Sequence, residues 1–249
     1  LYAQQTQIGK FNGGIMKGYF FGLLLLVYSA SGFAGLKEGK EAYSKEDYNT
    51  ALKELTPLAE QGDAEAQALL GVTYFATQDD NQAVSWYRKA AEQGNALAQY
   101  SLGWSYRVGR GITQDDVQAV YWFRKVAEQG DSIAQLQLGG MYYTGKGVTK
   151  DYSQAIDWYR KAEEQQGLPE AQTMIALMYS EGHGVIQDYA QSINWYRKAA
   201  KQGDFIALNN LGVMYQYGKG VSKNLVLAHM LYNLAAVNGD EDYINNRNT

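Results

Sequence analysis

The sequence predicts an all-α protein, a solenoid of about five to six helical hairpins. The first observation is self-similarity: a block of the form Ala-x-x-x-Leu-Gly-x-x-Tyr recurs, with 36 residues from Trp86 to Trp122, 36 more to Trp158 and 37 to Trp195. The second is that apolar residues inside each block recur at helical spacing. A period of this length is typical of solenoids, in which no repeat buries its apolar face alone. Solenoids present long surfaces to partners, so the fold favours a binding role.

The composition supports a helical array and excludes several classes of function. Hydrophobic residues make up 46% of the 249 residues and aromatic residues 13%, enough for a continuous core, and only 2 residues are Pro. The net charge of −4 argues against nucleic acid as a partner. Cysteine is absent, which excludes a disulfide framework, a thiolate metal site and a cysteine nucleophile.

The N-terminal segment predicts export. Residues 1–15 do not begin with Met and show no clear periodicity, which indicates upstream translated sequence or an added remnant. From Met16, a short basic start, the apolar run 19–27 and small residues up to Ala34 predict a signal peptide over residues 16–34, cleaved after Ala34. The run is shorter than the ~20 residues that span a bilayer; an uncleaved anchor is the alternative. Cleavage would leave a periplasmic or secreted bacterial protein with no membrane span.

The rest of the sequence divides into a hairpin, five repeats and a short end. Residues 35–62 predict an N-terminal hairpin with a short loop, similar to a tetratricopeptide unit. The array is predicted over residues 63–240, in copies 63–94, 95–130, 131–167, 168–203 and 204–240. Residues 241–249 form a C-terminal stub that barely supplies the polar cap a solenoid end needs. This leaves open a truncated cap or a chain that continues past Thr249.

The first helix of a repeat is illustrated by the third copy. Asp131 follows Gly130, which predicts a left-handed glycine stop and, directly after it, an N-cap. Gly139 stands in mid-helix, where it costs about 1 kcal/mol relative to Ala. Because it recurs in other copies, we expect two helices to approach closely there. The apolar stripe consists of Ala134, Leu138, Gly139 and Tyr142, and the glycine recurs as Gly71, Gly103 and Gly212.

The second helix of each repeat starts at a polar cap and carries a tryptophan seven residues later. The predicted caps are Asp79, Asp115, Asp151, Asp188 and Asn224; the tryptophans are Trp86, Trp122, Trp158 and Trp195, with Leu231 in the last copy. We expect these tryptophans to be buried and each to contribute about 3–5 kcal/mol relative to Ala. The Arg-Lys pairs that follow them predict solvated helix ends beside the negative end of the helix dipole; they begin at Arg88, Arg124, Arg160 and Arg197.

Two copies depart from the pattern. The first has Ala76-Thr77-Gln78 in place of a Gly-x-Gly loop. The fourth has Ala176 in place of the mid-helix glycine and Leu168-Pro169 at the helix start, where Pro is tolerated in the first turn.

These residues closely resemble the Sel-one-like repeat family, tetratricopeptide-related hairpins of about 36 residues. The resemblance is carried by Ala134–Tyr142, Gly145–Asp151 and Ala155–Ala162, with parallel segments at 98–131, 171–204 and 207–240. It implies a right-handed α/α superhelix that acts as an adaptor for protein complexes. Some secreted, cysteine-rich relatives are linked to β-lactam binding, but this chain lacks their cysteines, so that link does not carry over.

Motifs with a chemical function are weak in this chain. The segment Gly140–Gly147 resembles a phosphate loop, but it lacks Ser or Thr after Lys146 and follows a helix. His183 and His229 lie in different repeats, and the loop position of His183 looks solvated. No Ser-x-x-Lys occurs. A carboxylate pair across two repeats stays open, but we predict no catalytic, cofactor-binding or metal-binding residue, and no cofactor.

The candidate binding surface lies on the first helices. The resemblance implies that these helices line the concave side, so residues opposite the apolar stripe, which differ between copies, are predicted to line a groove. Aromatic and Arg side chains dominate binding energies, which makes Tyr100, Trp104 and Arg107 the predicted anchor. Packing of Trp104 on a neighbouring repeat or on the N-terminal hairpin is the alternative. The full candidate set is Tyr100, Ser101, Trp104, Arg107, Gln137, Tyr143, Thr173, Asn209, Asn210 and Gln216.

The sequence therefore predicts an exported, non-enzymatic scaffold that binds a partner protein or peptide along a concave groove. Two alternatives stay open. One is a cell-wall-related enzyme or a binder of a small ligand such as a β-lactam or a peptidoglycan fragment. The other is a structural solenoid that assembles with itself through its end repeats. The identity of the partner and the oligomeric state do not follow from the sequence.

Overall fold

The computed structural model describes residues 34–238, and this part of the chain contains twelve α-helices and no strand. The prediction of an all-α fold of helical hairpins is confirmed. The predicted signal peptide up to residue 33, residues 1–15 and the predicted stub 241–249 lie outside the described residues. The helices are α1 (Ala34–Ser44), α2 (Tyr48–Glu60), α3 (Ala64–Ala76), α4 (Asp80–Glu92), α5 (Ala96–Val108), α6 (Asp116–Glu128), α7 (Ser132–Thr144), α8 (Tyr152–Gln166), α9 (Pro169–Glu181), α10 (Tyr189–Ala200), α11 (Phe205–Tyr217) and α12 (Leu225–Asn238).

The helices belong to two compact units, with the division after Val126. The first unit holds α1 to α5 and most of α6, and the second holds α7 to α12. Within each unit the two helices of a hairpin pack together, and a second helix also contacts the first helix of the next hairpin, as α4 does with α5 and α10 with α11. This is the nearest-neighbour stacking of a solenoid.

The predicted starts of the second helices are confirmed. In Asp79, Asp115, Asp151, Asp188 and Asn224, a side-chain oxygen accepts the backbone N–H three residues on, at 2.9–3.2 Å. The first helices α5, α7, α9 and α11 end at a glycine with φ between 66° and 74°. Glycine adopts this left-handed conformation without a steric penalty. Where the first repeat lacks that glycine, Gln78 takes the same conformation with φ of 66°.

The mid-helix glycines make room for an aromatic ring, which explains the expected close approach. A Cβ on Gly139 would lie 2.7 Å from the ring of Tyr159 and 3.2 Å from the carbonyl oxygen of Ala155. A real Cβ atom essentially never comes within 3.0 Å of a heavy atom that is not bonded to it. Any residue other than glycine would therefore force the Tyr159 ring or the helix backbone to move. The equivalent pairs are Gly71–Tyr87, Gly103–Phe123 and Gly212–Tyr232.

The expectation of a buried tryptophan is wrong in three of the four copies. Trp122 is buried, but Trp86, Trp158 and Trp195 remain partly exposed. The aromatic residue that follows each tryptophan is the one enclosed: Tyr87, Phe123, Tyr159 and Tyr196 are at most 1% exposed. The tryptophans lie at the edge of the core and are covered by a lysine ammonium, for example Lys161 at 4.0 Å from the Trp158 ring. Two adjacent residues on a helix point in directions about 100° apart, so only one of the two aromatic side chains can face the core, and it is the one after the tryptophan.

A buried glutamine links successive hairpins. The amides of Gln67, Gln99 and Gln135 donate to the carbonyl oxygens of Ala59, Ala91 and Ala127 at 2.9–3.1 Å. These carbonyls lie in the last turn of a second helix, where four carbonyls lack an intrahelical partner. Each of the three carbonyls also accepts a backbone N–H of the following turn, from Gly62, Gly94 or Gly130. The glutamine therefore adds a second hydrogen bond, which comes from the first helix of the next hairpin.

The arginine row also links hairpins, which corrects the expectation of purely solvated helix ends. Arg160 donates to the Tyr179 hydroxyl at 3.1 Å, and Arg197 donates to the Tyr215 hydroxyl at 2.7 Å. In both cases the tyrosine belongs to the first helix of the following hairpin. These arginines therefore hold neighbouring repeats together as well as facing solvent.

Candidate interaction surface

The structure separates the ten predicted groove residues into two classes of exposure. Four are buried, and six are partly exposed. Trp104 and Arg107, among the partly exposed, belong to the first unit, and the remaining partly exposed residues belong to the second. The buried residues are Tyr100, Ser101, Gln137 and Thr173; the partly exposed ones are Trp104, Arg107, Tyr143, Asn209, Asn210 and Gln216.

Tyr100 and Ser101 are packed inside the first unit, which corrects their assignment to an accessible groove. Tyr100 is 1% exposed, and its ring centroid lies 5.3 Å from that of Phe123 on α6. The Ser101 hydroxyl donates to the carbonyl oxygen of Leu97 at 2.7 Å. Neither side chain can reach a partner in this structure, so Tyr100 cannot serve as a surface anchor.

Thr173 and Gln137 are likewise internal residues of the second unit. The Thr173 hydroxyl donates to Asp204 Oδ1 at 3.0 Å, and the N–H of Ala207 donates to the same oxygen at 2.6 Å. Burial raises the pKa of Asp204 to about 6, although both hydrogen bonds favour its ionised form. Thr173 therefore supports the cap of α11, and its role is structural.

Trp104 packs against the preceding repeat, as the alternative interpretation expected, and stays partly exposed. Its ring meets Phe75 edge-on, with centroids 5.5 Å apart. The Arg110 guanidinium lies 3.9 Å from the Phe75 ring centroid and 2.8 Å from the carboxylate of Asp80. Arg110 stands between two glycines of the loop after α5, so this loop folds back onto the first repeat. Stacking and an ion pair thus fix the surroundings of Trp104.

An open depression of about 420 Å³ lies among α1, α3 and α5 of the first unit. Its floor is apolar, with Ala68 and the largely buried Leu69 and Leu97. On its rim Lys40 of α1 and Glu65 of α3 form an ion pair with 2.6 Å between Nζ and Oε1. The start of α5 completes the wall. An apolar floor beside a charged rim suits an apolar side chain flanked by polar backbone groups.

Sequence reasoning missed this depression although a signal for it existed. Ala68 and Leu69 occupy the same places in their repeat as Tyr100 and Ser101 in the next one. The groove candidates began at the second repeat and left out this first copy. In the first copy Ala68 and Leu69 line the depression, whereas in the next copy the Tyr100 ring is buried beside Phe123.

A polar and aromatic cluster occupies the C-terminal ends of α7 and α9, and the loop after α9, in the second unit. The Tyr143 hydroxyl donates to Glu181 Oε2 at 3.0 Å, and His183 Nδ1 lies 2.9 Å from the same oxygen. The His183 ring stacks on Tyr152 with centroids 4.1 Å apart. Burial, followed by the charge of Glu181, raises the pKa of Tyr143 well above its ordinary value. His183 is therefore a packed loop residue, which corrects the expectation of a solvated one.

Neither a metal-binding cluster nor a membrane-spanning helix is found among the described residues. Between residues 34 and 238 no three His, Cys, Asp or Glu side chains come together as a metal ion requires. In the same part of the chain no helix combines the length and the apolar character of a membrane span. Asn209, Asn210 and Gln216 add amide groups to the partly exposed face of α11.

Comparisons with known proteins agree with this architecture. A family model described as Sel1 repeat matches residues 64–95, 96–131, 132–166, 169–204 and 206–240. A solved Sel1 repeat protein from Oxalobacter formigenes is 33% identical, with a TM-score of 0.80, over 86% of this chain and 87% of that one. The solved c5321, a protective antigen of uropathogenic Escherichia coli strains with an SLR fold, is 42% identical, with a TM-score of 0.71. That match covers 77% of this chain but 42% of c5321, so this chain spans less than half of its length. Among curated proteins, none matches this sequence.

Proposed function

Because the chain belongs to the Sel1 repeat family, whose members generally mediate protein–protein interaction, we propose that it is a non-enzymatic scaffold. In this proposal it binds a partner protein or peptide on the accessible faces of its first helices. The depression among α1, α3 and α5 carries the proposal, because it is a concave site with an apolar floor and a polar rim.

The chemistry of the depression defines the kind of partner segment. Leu69 and Leu97 offer an apolar contact for one side chain of the partner. At the rim, Lys40 offers a positive charge and Glu65 a negative charge. A partner segment that carries polar backbone groups or complementary charges on both sides of its apolar side chain gains hydrogen bonds there. Trp104, with its ring supported by Phe75, extends the same unit's accessible surface.

We further propose that the protein is exported and acts in the bacterial envelope or outside the cell. Two observations support this: the signal-peptide pattern over residues 16–34, and the likeness to c5321, which is described as a protective antigen. Export with cleavage predicts a mature protein whose first residue is Gly35. N-terminal sequencing of the protein recovered from the periplasm or medium checks this; recovery of an intact N-terminus in the cytoplasm would contradict it.

Reversal of the rim charges tests the binding site. The full-length protein is crosslinked in its native envelope, purified, and its partners are identified and quantified by mass spectrometry. Lys40→Glu should reduce recovery of the partner about tenfold, because it replaces the positive charge on the rim by a second negative charge beside Glu65 and so opposes a partner that is complementary to the rim. The double variant Lys40→Glu/Glu65→Lys, which restores the ion pair with opposite polarity, should recover folding stability but not binding.

A matched control exists in the second unit. Lys198 and Glu163 form an ion pair at 2.7 Å, and neither residue lines the depression. Reversal of Lys198 should leave partner recovery unchanged. If Lys40→Glu and Trp104→Ala both retain every partner at the level of the unmodified protein, the proposed site is wrong.

A further inference from the structure

The last helix, α12, is apolar on the side that faces solvent. Val226, Met230, Leu234 and Val237 are 73%, 61%, 50% and 81% exposed. At about 100° per residue they fall within an arc of about 80°. The buried residues Ala228, Tyr232 and Ala235 lie on the opposite side of the helix. We call these four exposed side chains the α12 stripe. A helix that is apolar all round is normally covered on both sides.

Position within the repeat alone does not explain the stripe. The same four places are exposed in every earlier second helix, where they are mostly polar. In the second helices of the first four repeats, the place of Leu234 always holds a lysine, and the place of Val237 holds a glutamate or a lysine. The equivalents of Leu234 are Lys89, Lys125, Lys161 and Lys198; those of Val237 are Glu92, Glu128, Glu164 and Lys201; those of Met230 are Ser85, Tyr121, Asp157 and Asn194; those of Val226 are Asn81, Val117, Ser153 and Ala190. All four places are apolar in the last copy only, although Val117 and Tyr121 make two of them apolar and exposed in α6.

The stripe lacks the groups that a charged partner or a lipid surface would use. The whole of α12 contains no Asp, Glu, Lys or Arg, whereas each earlier second helix of the five repeats carries an Arg-Lys pair. Helices that lie on membranes usually carry Lys or Arg on their polar face. The occupant must therefore bring an uncharged apolar face of its own.

We propose that the α12 stripe pairs with the α12 stripe of a second copy of this chain. Identical neutral faces can meet around a two-fold axis without opposing like charges, which is the isologous arrangement of most homodimers. The helix of 14 residues is about 21 Å long. One helix face of this length buries less than the ~800 Å² per partner of a standard interface. The dimer is therefore weak and depends on concentration, with dissociation in the micromolar range.

The test compares the full-length protein with a variant that restores the chemistry of the earlier copies. Met230→Asn/Leu234→Lys introduces residues found at the same places in α10, so the helix should still form. Sedimentation equilibrium from 1 µM to 200 µM should show the mass of the unmodified protein rising towards that of a dimer, while the variant stays monomeric. Ile186→Lys is the matched control: it removes an isolated apolar residue, 92% exposed, and should associate like the unmodified protein.

Other occupants give different outcomes, each of which overturns the proposal. If the unmodified protein stays monomeric but floats with phospholipid vesicles, the stripe meets lipid. If the full chain is monomeric and a chain ended at Asn238 dimerises, the stripe is covered by the residues that follow. If the double variant dimerises as well as the unmodified protein, while circular dichroism shows equal helix content, the contact lies elsewhere.

Discussion

Asp204 caps α11 from a largely buried position, 8% exposed. Burial raises the pKa of this carboxyl from 3.8 to about 6. Because its folded-state pKa lies above that of the unfolded chain, the folded state holds the proton more tightly, and stability is lost as the pH rises through about 6. Between pH 4 and 7.5 the unfolding free energy of the protein, relative to Asp204→Asn, should fall by about 2–3 kcal/mol. Urea unfolding at both pH values measures this.

The uncharged cap Asn95 provides the control for that experiment. Asn95 accepts the N–H of Ala98 at the start of α5, as Asp204 does for Ala207 in α11. Asn95→Ala should lower stability by about 1 kcal/mol, equally at both pH values, because the amide does not titrate. An Asp204→Asn variant that keeps the pH dependence of the unmodified protein would show that another group causes it.

Two neighbouring glycines of α7 should respond to alanine in opposite directions. A Cβ on Gly139 would press on the Tyr159 ring, whereas a Cβ on Gly140 would meet only the Tyr159 hydroxyl at 3.7 Å. Gly140→Ala should therefore stabilise the protein by up to about 1 kcal/mol through helix propensity. Gly139→Ala should destabilise it by about 1–2 kcal/mol, because overpacking exceeds that gain. If both variants change the thermal unfolding temperature equally, the packing argument is wrong. In the fourth repeat, Ala176 occupies the place of Gly139, so that repeat accommodates the extra methyl group.

At the scale of elements, the starts and ends of helices were predictable and the contacts between helices were not. Cap chemistry is local, so Asp79 and Asn224 could be assigned from sequence. Which of two adjacent aromatics enters the core depends on the rotation of one helix against another, and the choice of Tyr87 over Trp86 needed the structure. The burial of Tyr100 arises in the same way, from the Phe123 ring on α6.

The buried glutamines should stabilise the packing of one hairpin on the next. The dipeptide Ala-Gln recurs in the sequence, but its spacing alone does not show that the glutamine side chain bonds to the preceding hairpin. Gln99→Ala removes the donor to the Ala91 carbonyl, which keeps the backbone N–H of Gly94 at 3.0 Å, so the variant loses one buried hydrogen bond, at a cost of about 0.5–1.5 kcal/mol. Gln82→Ala, an exposed residue of α4, should cost less than about 0.5 kcal/mol. Urea unfolding compares them, and a Gln99→Ala variant as stable as Gln82→Ala would remove the proposed role.

At the scale of the whole molecule, repetition explains both the fold and the position of the candidate site. The same hairpin recurs because its caps, glycine–aromatic contacts and glutamine bridges recur. Differences between copies then give each copy its surface: Ala68 and Leu69 line a depression in the first copy, and Leu234 stands in place of a lysine on the outer face of α12. The fold class followed from the period, whereas the accessible site depended on side-chain volumes at equivalent places.

Photocrosslinking in living cells tests the central claim most directly. A benzophenone amino acid is placed at position 65, on the rim of the depression, and in a second strain at position 85, on the exposed outer side of α4. A scaffold that binds through its first helices should form one discrete adduct with a partner protein from position 65 and none from position 85. Adducts of equal yield from both positions, or from position 85 alone, would contradict the account.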